Sequence, residues 1–80
     1  MKDRNKILTQ LLIVAEEYNI DIIKINFTII NAIMDEVEFA FKIGQNNFII
    51  KYSYEKDNMY DVNSFGCYIK IKIGEFLKEE

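Results

Sequence analysis

The sequence predicts an α+β domain in which an N-terminal amphipathic helix packs on one face of an antiparallel sheet of about four strands. Apolar residues recur at three- and four-residue spacing over residues 4–18, as in a helix with one buried face. After Asn19 they alternate with polar residues in several short segments, which is typical of strands with one face in water. The chain of 80 residues has the length of one domain, so a single domain is predicted over residues 1–80.

The predicted helix covers residues 4–18, with Asp3 as its N-terminal cap. Its apolar stripe is roughly 160° wide, which exceeds the ~100° typical of a helix on a protein surface. Ile13 lies outside the stripe among polar residues. This helix therefore has more apolar surface than one contact requires. The stripe consists of Ile7, Leu8, Leu11, Leu12, Val14, Ala15 and Tyr18.

Four later segments have the alternating pattern of half-buried strands. A turn at residues 44–47 joins the second segment to the third, and Gly74 ends the last. The first has Ile23, Ile25, Phe27 and Ile29 on one face, the second has Val37, Phe39, Phe41 and Ile43, the third has Phe48, Ile50, Tyr52 and Tyr54, and the fourth has Cys67, Ile69, Ile71 and Ile73.

Two stretches leave alternatives open. Residues 29–36 have helical spacing, so they are predicted either as a second short helix or as a strand end followed by a turn. Residues 55–66 are predicted as a long connection, with room for a short fifth strand at residues 60–63.

The residues that support catalysis or metal binding are scarce. The chain has no histidine, so it lacks the usual acid–base group at neutral pH and the commonest zinc ligand. Strand parity places Cys67, the single cysteine, beside Ile69 and Ile71, where it is expected to be buried and unreactive. The acidic clusters do not match a calcium loop. We therefore expect a protein that is not an enzyme and has no cofactor or metal site.

The outward positions of the predicted sheet carry five lysines and one acid, Glu38, although the net charge of the chain is −3. With Tyr68 among them, this face is similar to sheet surfaces that bind single-stranded nucleic acids. One aromatic residue is too few for a stacking surface, and lysines on strands also prevent edge-to-edge association. Nucleic-acid binding is therefore the alternative prediction. The lysines are Lys24, Lys42, Lys51, Lys70 and Lys72.

The connection over residues 55–66 is the predicted partner-binding segment. It is longer than joining two strands requires, and such loops in small domains often bind. Tyr60 is the expected anchor, because tyrosine offers a large rigid surface with a hydroxyl group, and acidic neighbours favour a basic partner. Packing of the segment on the core is the alternative. The candidate residues are Tyr60, Phe65, Met59, Asp57 and Asp61.

Covering the predicted sheet requires more than one helix, because a helix shelters about two strands. The remaining cover comes from residues 29–36 as a helix, from residues 76–77, or from a second subunit. We predict a homodimer that uses the helix face around Ile7, Val14 and Tyr18.

Small size, the lack of a catalytic motif and the surplus apolar surface favour a protein-interaction module, such as an inhibitor or accessory factor that occupies a partner's surface. Ile, Lys, Asn, Phe and Tyr make up 43 of the 80 residues, which is typical of an AT-rich gene and suits a phage or mobile element. Asp3, Thr9 and Gln10 interrupt a weak signal-peptide pattern, and no apolar run is long enough for a membrane span. The expected location is the cytoplasm.

Overall fold

The computed structural model describes residues 2–78, which form five elements. The strands make one antiparallel sheet in the order β1–β2–β3, and both helices lie on the same face of it. The predicted α+β class is confirmed, with three strands instead of about four. The elements are α1 (Lys2–Tyr18), β1 (Asp21–Ile29), β2 (Met34–Ile43), β3 (Asn46–Glu55) and α2 (Met59–Lys78).

The central strand β2 buries the side chains that it directs towards the helices. Val37, Phe39 and Phe41 are completely buried, whereas the residues between them are more exposed, as the two-residue period of a strand requires. The Phe39 ring meets Phe65 of α2 edge to face, with centroids 6.0 Å apart. Phe41 lies 6.0 Å from Phe76 near the end of the same helix. The core is therefore centred between β2 and the helix layer.

α1 begins before Asp3 and ends in a Schellman motif. Asn19 follows the helix in the left-handed conformation, with φ 55°. The N–H of Ile20 donates to the carbonyl of Ala15 at 3.0 Å, and Ile20 is buried in the core. The Asp3 carboxylate accepts a hydrogen bond from the N–H of Asp57 at 2.9 Å, so it joins α1 to the turn before α2.

The predicted fourth strand is wrong, because residues 67–73 lie within α2, and so do residues 60–63. Asn58 caps this helix, since its Oδ1 accepts hydrogen bonds from the N–H groups of Tyr60 and Asp61. Only residues 56–58 connect β3 to α2. The residues that α2 buries recur at helical spacing, and this period outweighs the two-residue alternation near Cys67. They are Val62, Phe65, Ile69 and Ile73.

Residues 29–36 form a strand end, a turn and a strand start, so the short-helix alternative is wrong. Oδ1 of Asn31 accepts hydrogen bonds from the N–H groups of Ile33 and Met34, both at 2.9 Å. The N–H of Ile30 donates to the carbonyl of Met34 at 3.0 Å. A side chain that satisfies its own local backbone favours a turn over a helix, which explains why the helical spacing is not followed.

A bulge changes the register of β1. Ile22 pairs with Phe41 and Lys24 pairs with Ala40, which leaves Ile23 as the extra residue. Ile22 therefore packs against the core. Ile23, which the sequence pattern places on the core face, is 57% exposed, so that prediction is wrong. The β2–β3 hairpin closes through Gly44 and Gln45 alone, because glycine at the first position accepts the φ of 61° that this turn requires.

The two helices run in the same direction. The start of α1 contacts the turn before α2, and near its end Glu17 lies 3.3 Å from Nζ of Lys70. The helix face predicted as a dimer contact is occupied within the chain, since Ile7 and Val14 are buried and Tyr18 packs against the core. α2, which includes residues 76–77, supplies further cover for the sheet within the chain. Neither helix is long and apolar enough to cross a membrane.

The side chain of Gln10 joins the helices by binding two backbone groups of α2. Its Nε2 donates to the carbonyl of Val62 at 2.7 Å, and its Oε1 accepts from the N–H of Gly66 at 2.8 Å. A regular α-helix would join these two groups directly, because they are four residues apart. A Cβ atom at residue 66 would lie 3.0 Å from Oε1 of Gln10, so glycine leaves room for this bridge.

We predict that Gly66→Ala lowers the free energy of unfolding by about 1 kcal/mol, because losing the two Gln10 hydrogen bonds outweighs the gain in helix propensity. In a Gln10→Ala background, only the propensity remains, so Gly66→Ala raises that free energy by about 1 kcal/mol. Urea denaturation of the four proteins measures both effects. Equal effects in the two backgrounds would contradict the bridging role of Gln10.

Candidate functional site

Several chain segments meet at one end of the molecule, which we call the hairpin end. It comprises the turns at residues 30–33 and 56–58 together with the first turns of α1 and α2. The N–H of Lys56 donates to the carbonyl of Ile33 at 2.7 Å, which joins the two turns. Nζ of Lys6 lies 3.9 Å from Sδ of Met59, which brings the helix starts together.

A buried carboxylate lies beneath the hairpin end. Asp35 is 4% exposed, the one buried charged residue among those whose side chains the structure describes. Its Oδ2 lies 3.4 Å from Nε of Arg4, and its Oδ1 lies 3.5 Å from Nζ of Lys56 without forming a hydrogen bond. The Arg4 guanidinium also lies over the Phe27 ring, 5.1 Å from its centroid. These two cations offset the cost of burying the carboxylate and hold α1, β2 and the β3–α2 turn together.

Two tyrosines beside this cluster have raised pKa values. Burial raises the pKa of Tyr54 to about 12, and the charge of Asp35, 3.5 Å from the hydroxyl, acts in the same direction. Burial also raises the pKa of Tyr52, with a smaller effect from Asp61, whose carbonyl accepts its hydroxyl at 2.7 Å. Both shifts move away from neutral pH, so they reflect packing and do not indicate an acid–base catalyst.

The raised pKa of Tyr54 predicts a loss of stability at high pH. Its neutral phenol contributes stability that is complete below pH 10.0, the ordinary pKa, and is lost as the pH rises towards about 12. We expect Tyr54→Phe to lose less stability than the wild type across this interval, measured by urea denaturation at each pH. Tyr60→Phe, at an exposed tyrosine, is the control and should match the wild type. Equal slopes for Tyr54→Phe and the wild type would contradict the prediction.

Exposed apolar side chains occupy the hairpin end. Ile30 and Ile33 are 49% and 60% exposed, and Met59 and Tyr60 are 46% and 80% exposed. We call these four residues the apolar surface. The hydrogen bonds of Asn31 fix the turn that carries the two isoleucines, and the cap at the start of α2 fixes the other pair. Grouped apolar side chains exposed at one end of a small protein are typical of an interaction site.

The residues predicted to bind a partner differ in their exposure and in their contacts. Met59 and Tyr60 are exposed on α2, and Asp57 is exposed in the turn before it. The Asp61 carboxylate accepts the N–H of Glu55 at 3.1 Å, so it holds the end of β3. Phe65 is completely buried, which removes it from any binding surface.

Ile30 and Ile33 were not predicted as surface residues, because isoleucine is usually buried. The signal that could have identified them is the residue between them, Asn31, which favours a turn over a helix.

The predicted lysine face is not assembled. Three of its lysines lie on the sheet face turned away from the helices, and the other two lie with Tyr68 on α2. Acidic side chains also pair with two of them, since Glu38 lies 3.5 Å from Lys51 and Glu17 lies 3.3 Å from Lys70. The predicted basic face is therefore divided between the sheet and α2. The sheet lysines are Lys24, Lys42 and Lys51, and those of α2 are Lys70 and Lys72.

Cys67 is exposed, so its predicted burial is wrong, because a helical period replaces the strand parity on which the prediction depended. It borders a groove between α1 and α2 of about 180 Å³, lined in part by Gln10, Ile13 and Lys70. This volume is below that of typical small-molecule sites. Within the part of the chain that the structure describes, no group of three or more cysteines and carboxylates is placed to hold a metal ion.

Comparison of the chain with protein-family models, with curated proteins and with solved structures finds no match.

Proposed function

We propose that this chain is a protein-interaction module that binds another protein through the apolar surface at the hairpin end. The observation that carries the proposal is the exposure of Ile30 and Ile33 on a turn that Asn31 holds in one conformation. A turn whose backbone is fixed before contact loses little conformational entropy on binding, which favours affinity. Tyr60 adds the type of side chain that contributes most to binding energy at protein interfaces.

The charges around the apolar surface favour a basic partner. At the hairpin end and in the ends of β2 and β3 that adjoin it, among residues 3–78, six carboxylates, one of them the buried Asp35, are accompanied by three cationic side chains. An excess of acids next to apolar groups steers a positively charged protein towards this end and increases the rate of encounter. The acids are Asp3, Asp35, Glu36, Glu55, Asp57 and Asp61, and the cations are Arg4, Lys6 and Lys56.

The complementary site on a partner would be an apolar depression with basic side chains around it. Two isoleucine side chains and a methionine enter such a depression, while the hydroxyl of Tyr60 remains available at its border. A chain that binds in this way acts by occupying the surface of its partner, as an inhibitor or an accessory factor does. This mode of action needs no catalytic group.

We predict that Ile30→Thr/Ile33→Thr weakens partner binding at least about tenfold, because two side chains lose apolar contact area. Thermal unfolding should hardly change, since both residues are exposed in the free protein. The control is Ile49→Thr/Ile71→Thr, which changes two isoleucines that are each 63% exposed elsewhere. Partners captured from the native host with the wild-type chain are identified, and each variant is then titrated against them by calorimetry.

Equal binding by the wild type and the Ile30→Thr/Ile33→Thr variant would contradict the proposal, and so would equal losses in both double variants. Tyr60→Ala tests the predicted anchor by itself and should also weaken binding without lowering thermal stability. The basic character of the partner is tested separately, because added salt should slow association more than it speeds dissociation.

A further inference from the structure

The two edge strands of the sheet, β1 and β3, differ in the hydrogen bonds that they form with α2. The hydroxyl of Tyr68 donates to the carbonyl of Lys51 at 3.4 Å, and the Asp61 carboxylate accepts the N–H of Glu55, so α2 reaches the backbone of β3 at two places. Among the side-chain hydrogen bonds within residues 3–78, none involves the backbone of β1. The outward N–H and C=O groups of β1 are therefore free to pair with another strand.

The side chains of β1 are also incompletely covered. This strand has five apolar residues and none of them is buried, in contrast to β2. Ile25 and Phe27 face the core but are only half-buried, and Ile29, on the same face, is 65% exposed. The helix layer covers β1 only in part, since Arg4 of α1 lies over Phe27 while Ile29 is left exposed. A strand added beside β1 would supply both backbone partners and side-chain cover.

The segment at residues 25–29 is uncharged and complementary to itself. In an antiparallel pair with a twofold axis at Phe27, Ile25 of one copy faces Ile29 of the other on the core side. Asn26 then faces Thr28 on the open side, so polar residues meet polar ones. Any register that includes Lys24 would bring in a charge and the bulge, both of which oppose edge pairing.

From the open edge, its missing apolar cover and its complementary register, we propose that β1 is a dimerisation strand whose partner is β1 of a second copy. Residues 25–29 of the two copies pair about Phe27 and form a continuous six-stranded sheet. The occupant is a second copy because the same segment supplies both matching faces without any charge. This interface differs from the helix face around Ile7 and Val14, which the chain buries itself. It is also independent of the apolar surface and does not rest on the proposed partner binding.

The test introduces charges at the two exposed polar positions of the segment. In Asn26→Lys/Thr28→Lys, lysines face each other across the twofold axis, and like charges directly opposite destabilise paired strands. Within one chain the same lysines face Glu38 and Glu36 of β2, so the monomer fold is retained. The matched control is Asn26→Glu/Thr28→Lys, in which opposite charges meet across the axis. Its glutamate faces Glu38 in the chain, which Lys51 already neutralises at 3.5 Å.

Analytical ultracentrifugation of the purified full chain from about 1 to about 100 µM measures the mass of each protein. We expect the wild type and the glutamate–lysine control to reach twice the chain mass of 9.5 kDa. The double-lysine variant should dimerise at least about tenfold more weakly, with an unchanged circular dichroism spectrum. A wild type that stays monomeric over this range overturns the proposal, as does a double-lysine variant that dimerises like the wild type. A control that dissociates as the double-lysine variant does also overturns it.

Discussion

The central strand β2 needs apolar cover along its whole helix-facing side, and most of the fold follows from that requirement. Phe65 and Phe76 of α2 cover Phe39 and Phe41, and α1 completes the helix layer by packing beside α2. The same side of β2 begins with Asp35, a charge that tolerates burial only beside cations. Arg4 and Lys56 supply these cations. Their ion pairs with Asp35 fix where α1 starts and where the chain turns into α2.

The sequence predicts α1 and the first three strands well, because each of these segments has one dominant period and is bounded by a turn signal or a helix end. Residues 67–73 are different, since Ile69 and Ile73 fit a strand face and a helix face equally well. The deciding contact is distant in sequence, because Phe65 packs against Phe39 across the core. The local indications of the helix are the cap at Asn58, which lies in a stretch rich in loop-forming residues, and the helical spacing of the residues that α2 buries.

The candidate site was predictable only in part, for a related reason. Tyr60 and Met59 could be selected from the sequence because their polar neighbours mark an exposed segment. Asn31 indicates a turn at Ile30 and Ile33, but their exposure also depends on where the first hairpin ends relative to the helix layer. The predicted lysine face is not formed, because Lys70 and Lys72 lie on α2 and not on a fourth strand. The wrong prediction of one strand therefore removed the predicted lysine face. The predicted partner-binding segment, in contrast, still has Met59 and Tyr60 exposed.

The parallel direction of the helices has an electrical consequence. Each helix carries a positive pole of about half a unit charge at its start, and two parallel helices place both poles at the same end of the molecule. Here the poles lie among the carboxylates of the hairpin end, such as Asp3 and Asp57, and reduce their mutual repulsion. Antiparallel helices would have placed a negative pole there instead. This arrangement allows a dense group of acids to remain beside exposed isoleucines with little loss of folding stability.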